Sequence, residues 1–327
     1  MKKALYFIGA KVRTKFTMQI VKLLYFSPMI GQSLSKHIER MFDPNNIRRA
    51  GNWKISTTWI EIVTTSGSKL KLRLDEHIDW ITFLKGDWDS LCLIILQKLS
   101  KKLESEFFFI DVGANIGAVC IPIAQYWPVL AFEPQPDLCK RLKEHLTINY
   151  VEELTVEELA VTSQEMSEKY NGSLLLYSPN GNSGGASTNP SWNSSKDSRA
   201  YQIVSSSITL DQYFNGAGKS FPIGKILIKI DTEGHELYVL QGANKFIAEH
   251  RPLIIFEFRP DLLGSLRSLE LNNHVSSMKR YQILRLKLDG DGVLIERDSE
   301  LATLSSFERI LVPDEYIKSF MKALEIV

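Results

Sequence analysis

The run Phe107-Phe108-Phe109-Ile110-Asp111-Val112-Gly113-Ala114-Asn115-Ile116-Gly117 constrains the fold of this chain more than any other segment. An apolar stretch that ends in an acid reads as a buried strand, and the small-residue turn after it opens the next element. Such a junction begins a parallel α/β sheet and delivers Asp111 to the carboxyl edge, where ligands of these sheets sit. Gly113 and Gly117 let the backbone pass close to a ligand at places where a Cβ would clash. The expected ligand is a nucleotide. Dinucleotide folds hold a pyrophosphate with G-x-G-x-x-G, whereas this chain has Asn115 at the second glycine and Ala118 at the third, so a pyrophosphate fits poorly.

A second acid narrows the reading. Val129 to Phe132 reads as a short strand ending at Glu133, about 20 residues past Gly113, where a carboxylate can accept both hydroxyls of a ribose. Pro134 and Pro136 remove backbone donors just beyond it, and helix resumes near Asp137. An acid two residues before the first glycine suits a nucleotide that presents a cationic amino-acid group in place of a phosphate, as S-adenosylmethionine does. Asp111, Gly113, Ala114, Asn115, Gly117, Glu133 and Pro134 are the candidate cofactor-binding residues.

Along the chain, Trp53 to Asp75 alternates around the turn Ser66-Gly67-Ser68, a hairpin signature, and Trp88 to Lys102 has helical spacing. Residues 51–105 thus form a hairpin-and-helix cap ahead of the main domain at 106–327. That domain alternates strand and helix: the first strand, a helix from Ile116 to Tyr126, Val129 to Glu133, a helix from Asp137 to Asn149, and a strand near Leu154 to Val161. This alternation implies an α/β fold, a doubly wound, mostly parallel sheet with helices on both faces. Between Tyr170 and Ala200 the pattern stops in a polar loop rich in Asn, Gly and Ser, in which Tyr177 and Trp192 offer stacking faces suited to a carbohydrate.

Sheet pattern returns with Lys225 to Asp231, followed by Thr232-Glu233-Gly234-His235-Glu236 and an amphipathic helix, then with Leu253 to Glu257. Strand ends beside a topological switch point share one crevice, so Asp111, Glu133, Asp231 and Glu257 are expected to face a common ligand. The plainer alternative for Asp231 is a helix cap, with Glu233 and Glu236 favourable in the first turn.

Composition excludes several classes. The 327 residues, 44% apolar and 24% charged with a formal charge of +1, are those of an ordinary soluble enzyme and do not point to nucleic acid as partner. Cys92, Cys120 and Cys139 are odd in number and lack C-x-x-C spacing, so a disulfide framework and a zinc site are not indicated and a cytoplasmic location is the default. Residues 1–50 form a basic, apolar arm without an acid before Glu39. Too short in its apolar runs to span a bilayer, it is expected to pack on the domain or a second subunit, with a peripheral membrane surface as the alternative.

Taken together, Asp111 to Gly117, Phe132-Glu133-Pro134, Ser207 to Asp211, Ile228 to Glu236 and Pro252 to Glu257 resemble the FkbM-type methyltransferases, class I enzymes that use S-adenosylmethionine and mostly methylate hydroxyl groups of sugars and natural products. The resemblance covers roughly Ile78 to Pro313 and leaves out the arm. It implies a Rossmann-like, seven-stranded sheet whose last strand is antiparallel, the final pair supplied by Tyr281 to Lys287 and Phe307 to Val312.

Methyl transfer to an alcohol needs an aligned oxygen and a group that removes its proton. Asp231 and Glu233 lead the catalytic candidates and His235, nearest neutral pKa, comes next. A divalent cation held by Asp231, Glu233 and Glu257 is the less favoured alternative. Rival classes are an NAD(P)-dependent oxidoreductase, against which stands the lack of any Tyr-x-x-x-Lys pair, and a non-catalytic binding module on the same sheet.

Overall fold

The computed structural model describes residues 15–25, 36, 59–103, 107–189, 201–216, 224–289, 292–297 and 308–325. Its contacts group into two units, one comprising residues 1–88, 178–186 and 193–201 and the other the rest. Of the basic arm expected over 1–50, the helix Lys15–Tyr25 and Lys36 are described; the remainder lies outside the described residues, as do Trp53 to Thr58 and Trp192. No described helix is long and apolar enough to cross a membrane.

In the first unit the expected hairpin is present, with β1 (Trp59–Val63) antiparallel to β2 (Lys69–Arg73). A helix not expected from the sequence, His77–Lys85, follows it and ends at Gly86 in the left-handed conformation. Seven of its nine residues are buried, so its pattern is apolar nearly all round and hides the helical period. Glu76 accepts a hydrogen bond from the amide of Ser183 at 2.9 Å, and the His77 amide donates to the Gly181 carbonyl, also at 2.9 Å.

The second unit holds the large sheet. Its strands are β3 (Phe107–Val112), β4 (Val129–Phe132), β5 (Leu154–Glu157), β9 (Lys225–Ile230), β10 (Leu253–Glu257), β11 (Tyr281–Asp289), β12 (Gly292–Arg297) and β13 (Glu308–Pro313). They lie in the order β12-β11-β13-β10-β9-β3-β4-β5. The five strands from β5 to β10 run parallel, as the alternation of strand and helix suggests, and β13 is antiparallel to both neighbours, as the resemblance implies. An eighth strand, β12, extends the sheet beyond the seven expected by pairing antiparallel with β11. Ile110, Val112, Phe132, Ile228, Ile230, Phe256 and Leu240 belong to one buried cluster that fixes the strands in register.

Three local readings are corrected. The helix expected over Ile116 to Tyr126 shrinks to one turn, Cys120–Ile123; Gly117, with a φ of +83° that no right-handed helix contains, keeps it from starting earlier in the turn. Leu154 to Val161 is two strands, β5 in the large sheet and β6 (Ala160–Val161) in a separate sheet with β7 (Ser173–Ser178) and β8 (Tyr201–Ile208). Strand β7 also shows that the polar loop is partly regular, with Tyr177 paired antiparallel to Ser187. The alternation Leu174, Leu176, Ser178 facing inward carries that strand, and the Asn- and Gly-rich stretch after it masks the signal.

Candidate active site

Four strands end in acids at one sheet edge, and those acids occupy two levels. Asp111 and Glu133 are buried, whereas Asp231, Glu233 and Glu257 are partly exposed together with Gly113, Asn115, Pro134, Thr232 and Gly234. The enclosed carboxylates form a floor and the partly exposed ones a rim, the two sets differing in exposure.

The turn after β3 explains the floor. Gly113, Asn115 and Gly117 all have positive φ, at +88°, +53° and +83°. A Cβ on Gly113 would collide with the carbonyl oxygen of Asp231, and one on Gly117 with the Leu142 side chain. The space these glycines leave is therefore filled by the protein itself, which differs from the reading that a ligand takes it. The amides of Gly113 and Ala114 both donate to the Phe132 carbonyl, at 2.9 and 3.0 Å. Asn115 donates its amide to Glu133 Oε2 at 2.8 Å, and the Gln135 amide donates to Glu133 Oε1 at 2.9 Å. The Gln135 side chain is a third hydrogen-bonding partner of the Glu133 carboxylate. Burial pushes the Glu133 carboxyl up to about 7, against the two amides that favour its charge. Asp111, also enclosed, is raised to about 6 by burial, with Lys229 opposing the shift.

The turn after β9 builds the rim. Asp231 pairs with Lys229 Nζ at 3.0 Å and lies four residues ahead of His235, the N-cap of the helix Glu236–Gln241, so it does not cap that helix. Glu236 does the tying instead: its Oε1 accepts from the Thr232 amide, the Thr232 hydroxyl and the Gly234 amide, at 3.0 to 3.1 Å. In the turn that wraps this buried carboxylate, Glu233 and Gly234 have positive φ, +50° and +92°, and Glu233 is partly exposed. Carboxylate oxygens of Asp231, Glu233 and Glu257 come within 4.8 Å of one another. Burial and mutual repulsion push Glu233 and Glu257 above the usual carboxylate range, while Arg259, 3.4 Å from Glu257, pulls the other way. The donor chemistry of the trio suits a hard divalent cation, but Lys229 and Arg259 already engage two of its members.

His235 is placed apart from that trio. Its Nε2 is 2.8 Å from the Thr162 hydroxyl and its Nδ1 3.1 Å from that of Thr188, and burial pushes its pKa down to about 3. The ring stays neutral and both nitrogens are engaged. Ser187, next to Thr188, donates its hydroxyl to the Glu233 carbonyl at 2.8 Å, so the end of the polar segment is fastened to the acid-bearing turn. Thr162, Ser187, Thr188, Lys229 and Arg259 escape sequence reading; of these only Lys229, a cation inside an apolar strand, carries a visible signal.

The family model described as the methyltransferase FkbM domain matches residues 111–276, from the first strand-end acid through the helix after β10. The chain belongs to the FkbM methyltransferase family. Solved structures to which the chain is similar include the methyltransferase FkbM from Methylobacillus flagellatus KT, 18% identical over 63% of this chain with a TM-score of 0.38. This chain spans 43% of that protein's length. A SAM-dependent O-methyltransferase from Thermotoga maritima is 12% identical over 78% of this chain and 77% of its own, with a TM-score of 0.35. An rRNA methylase from Streptococcus thermophilus is 10% identical over 67% of this chain and 94% of its own, with a TM-score of 0.36. No curated protein matches the sequence.

Proposed function

We propose that this FkbM-family chain uses S-adenosylmethionine to methylate a hydroxyl group of a sugar, glycan or natural product. The observation that carries this reading is the pairing of a floor and a rim at one sheet edge: enclosed Asp111 and Glu133 with the accessible carboxylates Asp231, Glu233 and Glu257. The cofactor supplies an electrophilic methyl group on a cationic sulfur. Asp111 is enclosed, with Lys229 Nζ at 3.9 Å and no closely placed hydrogen-bond donor on either oxygen among the described residues, a carboxylate suited to the amino group of such a cofactor. Glu133 is the carboxylate for the ribose hydroxyls, while Gly113, Ala114, Asn115, Gly117 and Pro134 shape the cofactor side.

On the acceptor side, Asp231 or Glu233 takes the hydroxyl proton as the oxygen–carbon bond forms and the carbon–sulfur bond breaks. A carboxyl raised by burial and like charge is better matched to neutral pH than an ordinary one, which favours Glu233 for the proton and Asp231 for orienting the acceptor. His235 holds the turn through Thr162 and Thr188. The domain boundaries at 50 and 105 and the carbohydrate-facing role of the polar segment belong to the same proposal.

Thermal shift with S-adenosylmethionine, S-adenosylhomocysteine and NAD(P) tests the cofactor, since a ligand of the native state raises the melting temperature. Stabilisation by the two S-adenosyl compounds is expected; stabilisation by NAD(P) alone would overturn the reading. Labelled methyl donor with a panel of glycans and extracts then tests the acceptor, and label released by mild base as methanol would point to an ester and against an ether.

A further inference from the structure

Lys229 stands in the middle of the apolar run Lys225-Ile226-Leu227-Ile228-Lys229-Ile230 and is 4% exposed. A buried ammonium persists in the charged state only when anions surround it. Three do. Its Nζ lies 3.0 Å from Asp231, 3.9 Å from Asp111 and 3.9 Å from Asp89. The fold dictates each contact separately. Asp111 and Lys229 are register partners on adjacent parallel strands, so their side chains share a face. Asp231 is two residues further along and lies on that same face. Asp89 caps the helix Ser90–Lys102 through the Cys92 amide and is thereby held over the strand ends.

We propose that Lys229 is a positioning residue of the methyl-transfer site, the shared counter-ion that holds the floor acid Asp111 and the rim acid Asp231 in place relative to one another. The inference rests on the reading of Asp111 as the partner of the cofactor's amino group. Around Lys229 the other titratable groups are Cys92 on the same helix as Asp89, Cys120 beyond the β3 turn and Glu308 at the start of β13. Asp111 feels Lys229, Asp231, Asp89 and Cys120. All of these except Lys229 are acids or neutral thiols. Burial already raises Asp111, and Lys229 opposes that rise, so without the ammonium Asp111 takes up a proton at higher pH and loses its charge near neutrality.

The probe is S-adenosylhomocysteine, its affinity measured by calorimetry from pH 6.5 to 8.5 at fixed salt. For wild type, a nearly flat profile above pH 7 is expected. Lys229→Met should bind at least tenfold more weakly at pH 7 and regain most of that loss by pH 8.5. Lys229→Arg, which keeps the charge, should stay within about threefold with a flat profile, since a tenfold change is about 1.4 kcal/mol. In Asp89→Asn/Lys229→Met one repelling carboxylate is gone and the N-cap is kept, so the profile should move back toward wild type; this variant carries the test where the single one does not fold. Affinity of Lys229→Met within twofold of wild type at every pH, or a loss that pH leaves unchanged in both methionine variants, overturns the inference. Failure of wild type to bind the probe would instead overturn the cofactor reading.

Discussion

The turns after β3 and after β9 are built from the same parts and do opposite things. Each follows an apolar strand with an acid at or next to its end, and each holds two or more residues at positive φ. After β3 the amides of Gly113, Ala114 and Asn115 are all spent on the protein, two on Phe132 and one on Glu133, and the glycine voids are filled by Asp231 and Leu142. After β9 the bonding is done by a residue further on, Glu236, and the acids of the turn are left partly open. The glycine-rich turn thus packs against the protein itself, whereas the turn with fewer glycines leaves its acids partly exposed.

That contrast orders the expected effects of substitution. Gly113→Val should do the most damage, since it adds left-handed strain of about 1–3 kcal/mol and a clash of similar size against the Asp231 carbonyl. Urea unfolding measures it, and wild-type stability would show that the two turns do not abut. Asp231→Asn acts on chemistry instead: turnover should fall about a hundredfold or more, with affinity for S-adenosylhomocysteine changed little. An equal loss in both would put Asp231 on the cofactor side.

Glu133→Gln comes next. It should weaken S-adenosylhomocysteine binding about tenfold and flatten one arm of the stability profile. In the fold the Glu133 carboxyl titrates near 7 and in the unfolded chain near 4.5, so between those values the native state holds more protons than the unfolded one. Stability from this group is therefore full below about pH 4.5 and declines as pH rises toward 7. Melting curves of the variant between pH 5 and 7.5 should lack that decline relative to wild type. Thr188→Val is the mildest. Removing one hydroxyl partner of His235 should cost about 1 kcal/mol of stability and leave cofactor affinity unchanged.

The strand-end acids were legible in the sequence because an apolar run cannot hide a carboxylate: Asp111, Glu133, Asp231 and Glu257 each close such a run, and all four arrive at one edge. The mostly parallel character of the large sheet followed from the alternation of strand and helix, while its strand order is seen only in the structure. What escaped was whatever depends on neighbours distant in the chain. Lys229 looks misplaced until register sets it beside Asp111. His235 looks like a proton acceptor until Thr162 and Thr188, 73 and 47 residues away, claim both nitrogens. The reading of Ile116 to Tyr126 as helix failed because a period of apolar residues does not report the left-handed Gly117 within it.

The bond from Ser187 to the Glu233 carbonyl, with that from Thr188 to His235, has a bearing on engineering. A cut point placed between the polar segment and the Thr232-to-Glu236 turn would sever a latch. Chimeras that import the segment from another FkbM protein should carry Ser187, Thr188 and the turn as one cassette, together with Thr162 as its seat.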